Sequence, residues 1–311
     1  LHRTLNILGC SVNECPAGGA DVVFEWSAKG LSTRVNGDIL IMEHGWIPRW
    51  SYQISDLGTN SRGHYARCEY KPLNDEERLF ISTYLQRLIE IYRRSVDGSK
   101  VSAFMKDTPG EFILVPFQLA TDFNLKHSGT QFEKFYSDNP ENNVQFAQAC
   151  IDYAEELKLP LPVIFKQHPQ DRTPDLDRLL RIRNKANRLL TNNRQMSAHE
   201  IFASGRCKLV IGINSNTLHE AAVWNIQSIC LGTLIWDEKT SPRPFLADIG
   251  KAGHLIGTRA LDNEATLAYM CHVVKNQWFL SDFQNPLIVE EIMRSKGRCE
   301  PFGVRKKYSL S

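Results

Sequence analysis

The chain has 311 residues, 42% hydrophobic and 23% charged, enough to build ordinary globular cores in two domains. Its 37 Lys and Arg against 35 Asp and Glu leave a net charge of +2, which argues against a dedicated nucleic-acid binder with its strong basic excess. No apolar stretch reaches the roughly 20 residues of a membrane-crossing helix, and the eight cysteines show no CxxC pair and no zinc-ligand spacing.

Short apolar runs alternate with helical patterns along the chain, the signature of parallel α/β sheets. In chain order the first half offers strands at Leu5–Leu8, Val22–Glu25, Ile39–Met42 and Phe112–Pro116. A strong helix lies at Arg78–Arg94, with Leu79, Ile81, Tyr84, Leu85, Leu88, Ile89 and Ile91 largely on one face. The second half reads helix Asn143–Leu157, strand Val163–Lys166, helix Pro174–Asn184, strand Arg188–Leu190 and helix Ala198–Ser204. Strand Lys208–Ile213, helix Ser215–Val223, strand Ser228–Leu231, helix Glu264–Lys275 and a helical tail follow. The series predicts a Rossmann-like domain. The polar segment Ser137–Asn143 marks a boundary between two Rossmann-like domains, 1–140 and 141–290, with a basic tail at 291–311. That tail is either a solvated charge run or a weak attractor of anionic lipid or acidic glycan. Cys207, Cys230 and Cys271 sit in or beside apolar runs and read as small buried hydrophobes of a reducing compartment. The chain begins Leu1-His2-Arg3-Thr4 with no n-region or h-region of a secretory signal, and is expected to act in the cytoplasm, either by itself or as a module of a larger polypeptide.

Ligands of such sheets sit at the carboxyl ends of strands, so chemistry is sought there. After Val163–Phe165 come Lys166, Gln167, His168 and Pro169; the imidazole either satisfies its own turn or donates to a phosphate oxygen. After Val210–Ile213 come Asn214, Ser215, Asn216 and Thr217, with Ser215 expected to cap a helix or to meet a phosphate there. Glu220, one turn on, is either a surface residue or a ribose contact. Gly232 follows the last strand and permits a close approach. The strand Phe112–Pro116 leads to Gln118 and Asp122, and Ile39–Met42 leads to Glu43, so two strands are expected to bring carboxylates to one edge. Paired carboxylates suit glycosyl transfer with retention, one as nucleophile and one as acid/base. Trp46 and Trp50 either pack or form a sugar platform.

At these motifs the chain resembles bacterial capsule-polysaccharide synthesis proteins, especially the retaining β-Kdo glycosyltransferases. The matching stretches are Glu43–Arg49, Val115-Pro116-Phe117-Gln118 through Asp122, Phe165–Pro169, and Ile213–Thr217 through Ala222. The His-Pro dipeptide with a downstream Ser/Thr motif also resembles bacterial CMP-sialic acid transferases. The resemblance implies a GT-B fold, with two Rossmann-like domains facing across a cleft, the second holding a CMP-sugar. It implies Asp122 as nucleophile, Glu43 as acid/base, and His168, Lys166, Ser215, Asn214, Asn216, Thr217, Glu220 and Gln118 around the donor. No metal or other cofactor is expected. The partners implied are CMP-β-Kdo and a glycan or lipid-linked acceptor, with contact at the inner membrane face. Two departures stand out: Asn214-Ser215-Asn216-Thr217 lacks two adjacent hydroxyl residues, and His44 follows Glu43 in place of an acid. The Kdo carboxylate calls for a cation, with Arg172, Lys126, Arg49 and His127 as candidates. The rival readings are an inverting CMP-sialyltransferase, a CDP-polyol phosphotransferase, and a non-catalytic nucleotide-sugar-binding module.

Overall fold

The computed structural model describes residues 22–26, 37–57, 62–67, 71–192, 196–232 and 252–308. The expected strand Leu5–Leu8 lies outside them. Two compact units divide the chain, and neither is one half of it. The first comprises Leu1–Lys71, Ile235–Thr240 and Tyr269–Ser311; the second comprises Pro72–Leu234 and Ser241–Ala268.

In the first unit β1 (Val22–Trp26) runs parallel to β2 (Asp38–His44), and β2 pairs antiparallel with β3 (Tyr52–Ser55). Leu40 and Ile54 from this sheet meet Trp278, Phe283, Ile288, Val289, Ile292 and Val304 in one core. Helix Pro286–Arg294 starts with Pro at its first position and Asn285 accepting from Leu287 N at 3.0 Å, both regular start signals. The segment 291–311, expected as a separate basic tail, is corrected here. Its helix Pro301–Tyr308 buries Val304 in this core, and five of its cations are paired. Lys296 meets Asp38 at 2.8 Å, Arg305 meets Asp282 at 2.9 Å, Arg298 clasps Asp56, and Arg294 and Lys307 meet Glu291. Exposed pairs contribute about 0–1 kcal/mol each, whereas each fully buried aliphatic contributes ~1.5–3 kcal/mol. The apolar residues therefore anchor the segment.

The second unit opens with helix Asp75–Arg94. Its start is fixed by a reciprocal cap, Glu77 N to Asn74 Oδ1 at 2.9 Å and Asn74 N to Glu77 Oε2 at 3.1 Å. Ile81, Leu85, Leu88 and Tyr92 are its buried stripe, while Leu79 and Ile91, expected on that face, are 70% and 48% exposed. The strands are β4 (Phe112–Pro116), β5 (Val163–Lys166), β6 (Arg188–Leu190), β7 (Cys207–Gly212) and β8 (Gln227–Cys230), all parallel, in the order β6-β5-β4-β7-β8. Phe112, Ile113 and Leu114 are at most 1% exposed, as a central strand covered on both faces requires. This is the Rossmann-like α/β sheet expected. It contains one strand more than expected, because β4 pairs with both β5 and β7 instead of belonging to an N-terminal domain. The expected boundary at 137–143 is therefore a loop within the second unit. Its Ser137 N donates to Ala120 O at 3.0 Å, and it leads into helix Asn142–Glu156.

Between Pro174 and Asn184 only Leu176–Leu179 is helical. Side chains of the preceding helix take the backbone groups that a longer helix would use. Gln148 Oε1 accepts from Arg181 N at 2.7 Å, and Glu155 Oε1 accepts from Arg183 N at 3.0 Å and Asn184 N at 2.8 Å. Cys207, Cys230 and Cys271 are buried, as expected. Among the described residues no helix is long and apolar enough to cross a membrane.

Candidate active site

The strand order fixes where a ligand would sit. From β4 the chain moves outward to β5 and β6, then returns to β7 on the other side of β4 and continues to β8. Adjacent strands whose connections leave in opposite directions form a switch point, and the crevice beyond their carboxyl ends is the usual ligand site. Here those strands are β4 and β7. The loops that follow them carry Gln118 and Asp122 on one side and Asn214 to Thr217 on the other.

Side-chain hydrogen bonds join the two loops. Gln118 Nε2 donates to Asn214 Oδ1 at 2.8 Å and to Asp122 Oδ2 at 3.3 Å, while Gln118 Oε1 accepts from Asn214 N at 3.3 Å. Asn214 Nδ2 donates to Asn124 O at 2.8 Å. Asp122 caps the short helix Phe123–Lys126, its Oδ1 accepting from Asn124 N at 2.9 Å. Both carboxylate oxygens of Asp122 are thus oriented by donors. Gln118 is 6% exposed and both its amide hydrogens are engaged, so it positions Asp122 and Asn214 instead of reaching a donor.

The loop after β5 is tied down as firmly. Asn192 Nδ2 donates to His168 O at 2.8 Å and Asp171 O at 3.0 Å, and Asn192 N donates to Gln167 Oε1 at 2.9 Å. Gln170 N donates to His168 Nδ1 at 3.2 Å. A neutral imidazole accepting at Nδ1 carries its proton at Nε2. Lys166, 7% exposed, donates to Gln167 O at 3.3 Å. Burial holds its ammonium below the usual lysine range, opposed by the charges of Glu220 and Glu200. Glu220 is half-buried, its side chain 13% exposed and 3.9 Å from His199 Nε2. Burial keeps His199 down at about 4, so at neutral pH this contact is not an ion pair.

Ser215 lies at the start of the helix after β7. The helix is Thr217–Val223 and its N-cap position is Asn216. Ser215 precedes the cap, its Oγ accepting from Thr217 N at 3.3 Å and donating to Thr217 Oγ1 at 3.2 Å. Asn216 already has helical φ and ψ and makes no side-chain cap bond, so the capping contact at this end is the one Ser215 Oγ makes with Thr217 N. Gly232 serves packing: a Cβ there would lie 2.9 Å from the backbone oxygens of Ile213 and Ser128. Asn143, Asp171 and Asn192 were not singled out from the sequence. Asn143 Oδ1 accepts from Ala120 N at 2.8 Å and its Nδ2 donates to Asp171 Oδ1 at 3.2 Å, tying the loop after β4 to the loop after β5. Lone Asn and Asp residues in loops gave no signal for this.

Glu43 belongs to the first unit. It lies on β2 opposite Gln53, with Oε1 accepting from His44 N at 3.2 Å. The expectation that Glu43 and Asp122 end strands of one sheet is corrected: β2 and β4 belong to different sheets. The loop after β2 is held by Gln277, fully buried. Its Oε1 accepts from Trp46 N and Ile47 N, both at 2.7 Å, and from Ser51 Oγ at 2.9 Å. Trp46 is a core residue, 1% exposed and edge-on to Tyr65, and only Trp50 is open to solvent. Of the cations considered for a donor carboxylate, Lys126, His127 and Arg172 are exposed in the second unit and Arg49 in the first. Among the described residues no group of three His, Cys, Asp or Glu is placed to hold a metal.

A family model described as alpha-2,8-polysialyltransferase (POLYST) matches residues 132–232, about a third of the chain. That stretch runs through β5, β6, β7 and β8 and so includes His168 and Ser215. No curated protein matches. Among solved structures, the chain is similar to the β-Kdo 2,4 transferase of Thermosulfurimonas dismutans KpsC, at 14% identity and a TM-score of 0.48, covering 87% of this chain and 85% of that one. It is also similar to the β-Kdo 2,7 transferase of the same protein, at 18% identity and a TM-score of 0.40, covering 80% and 85%.

Proposed function

We propose that the protein is a glycosyltransferase of surface-polysaccharide synthesis that takes an acidic keto sugar from a CMP donor, Kdo in the first place, and passes it to a glycan or lipid-linked acceptor. One observation carries the reading. At the switch point of a Rossmann-like sheet, a carboxylate with both oxygens oriented stands on the loop beside a Ser/Thr loop, with a Nε2-donating histidine after the next strand. Such a set suits a negatively charged leaving group: His168 and the hydroxyls of Ser215 and Thr217 donate to the CMP phosphate, and Lys166 adds charge. Asn216 and Glu220 are proposed to contact the nucleoside. In the first step an Asp122 oxygen forms a bond to the anomeric carbon, and the bond from that carbon to the phosphate oxygen breaks. CMP leaves with the electron pair, aided by the His168 donor. In the second step an acceptor hydroxyl displaces Asp122 and gives its proton to a base, the role that the resemblance assigns to Glu43. Protein donors suffice for the leaving group, so a chelator is expected to leave transfer unchanged.

The match to the polysialyltransferase family favours a second reading, an inverting sialyl transfer in which Asp122 acts alone as base. Calorimetric titration with CMP and a CMP-release assay with CMP-Kdo and CMP-sialic acid test the proposal. His168→Ala is expected to weaken CMP binding tenfold or more. Gln118→Ala is expected to leave CMP binding intact while slowing transfer at least tenfold. Unaltered CMP binding by His168→Ala would remove the phosphate site, and release from neither donor would remove the donor class.

A further inference from the structure

The second unit carries another opening, at the opposite edge of its sheet. A groove of about 570 Å³ lies at the amino ends of β7 and β8 and includes Cys207 and Ile226, whereas the candidate active site lies at the carboxyl ends. Its volume falls within the range of small-ligand sites. Three cations line it, each from a separate element: Arg93 from the last turn of helix Asp75–Arg94, Lys208 from the start of β7, and Arg259. Among the described residues no carboxylate lines it. Lys208 pairs with Glu111 at 3.2 Å. Arg93 and Arg259 are exposed and have no carboxylate within ion-pair distance among the described residues; Arg93 lies over the Trp224 ring at 6.0 Å.

The groove is built on fixed backbone. Arg259 pairs with Ile226 in an antiparallel bridge, and its carbonyl accepts from Gln227 Nε2 at 3.3 Å. Leu261 N donates to Asn225 Oδ1 at 2.8 Å. Trp224 Nε1 donates to His199 Nδ1 at 3.0 Å, which fixes the indole where it lines the groove. Phe202 and Ile226 line it as well.

Two exposed guanidiniums on separate elements, with no carboxylate beside them among the described residues, line a half-apolar trough and suit a ligand that alternates apolar faces with carboxylates. Guanidinium matches carboxylate in a forked geometry, and an indole packs against the C–H face of a sugar ring. We propose that this groove binds a segment of a carboxylated saccharide chain, at a site separate from the donor site and independent of its chemistry.

The test is titration of the full chain with tetragalacturonate, followed by calorimetry, with maltotetraose and inorganic pyrophosphate as controls. Tetragalacturonate is expected to bind, with affinity falling as salt rises. The double variant Arg93→Ala/Arg259→Ala is expected to bind at least tenfold more weakly, and Arg259→Glu to do the same, while His168→Ala binds as the parent does. Equal binding by the double variant, or no binding at millimolar ligand, would overturn the proposal. So would maltotetraose binding as tightly, because charge would then not be read. Pyrophosphate displacing tetragalacturonate at equal concentration would make the groove a phosphate site instead.

Discussion

Asp122 is held where it is by two short-range contacts and one long-range one. Asn124 lies two residues on and offers its N–H, Gln118 lies four residues back and offers its amide, and Asn214 holds Gln118 in turn. Two half-buried histidines set a different property at this scale. Burial holds His64 at about 4 against the pull of Asp56, and neither of its ring nitrogens has a hydrogen-bond partner among the described residues. Burial holds His199 at about 4 as well, opposed by Glu200, with its ring stacked on Tyr92 at 3.8 Å. Between the ordinary histidine value of about 6.5 and a folded value near 4, the unfolded chain binds more protons than the folded one. The stability these neutral rings contribute is therefore complete above pH 6.5 and is lost progressively as pH falls towards 4. Thermal unfolding from pH 7.5 to 4.5 should show a falling midpoint, with a shallower fall in His64→Gln/His199→Gln. Equal slopes would contradict the assignment.

At the scale of elements, the loops after β4 and β5 act as one piece through Asn143. Ala120 is fully buried, and its N–H has the Asn143 oxygen as partner. Asn143→Ala would strand that N–H and release Asp171 on the neighbouring loop. An unsatisfied buried donor costs about 1–3 kcal/mol, so urea unfolding is expected to show a loss of that size, and a loss below about 0.5 kcal/mol would mean the tie is not structural. Element existence was readable from apolar runs and periodicity: β5 and β6 fall where expected, and β7 and β8 within one residue of it. Pairing was not. Phe112–Pro116 reads as a strand from its composition, but nothing in five apolar residues says that its neighbours lie about 50 and about 95 positions downstream. Polar Ser137–Asn143 looked like a linker because capping turns and linkers share Ser, Asn, Asp and Pro.

At the scale of the molecule, the α/β class was legible, whereas the return of the C-terminal helices to the first unit was not. Ile288, Val289, Ile292 and Val304 provide the apolar contacts, and the dense lysines and arginines around them masked that role. The site was legible in part, since motifs at strand ends mark chemistry. The switch point itself became visible only with the strand order, and with it the reason Asp122, Asn214 and Gln118 stand together. The most direct measurement is intact mass spectrometry of the protein after incubation with CMP-Kdo generated in place. The account predicts a gain of one Kdo residue, absent in Asp122→Ala although that variant still binds CMP. Full transfer by Asp122→Ala, or turnover by the parent with no adduct at any time point, would contradict it.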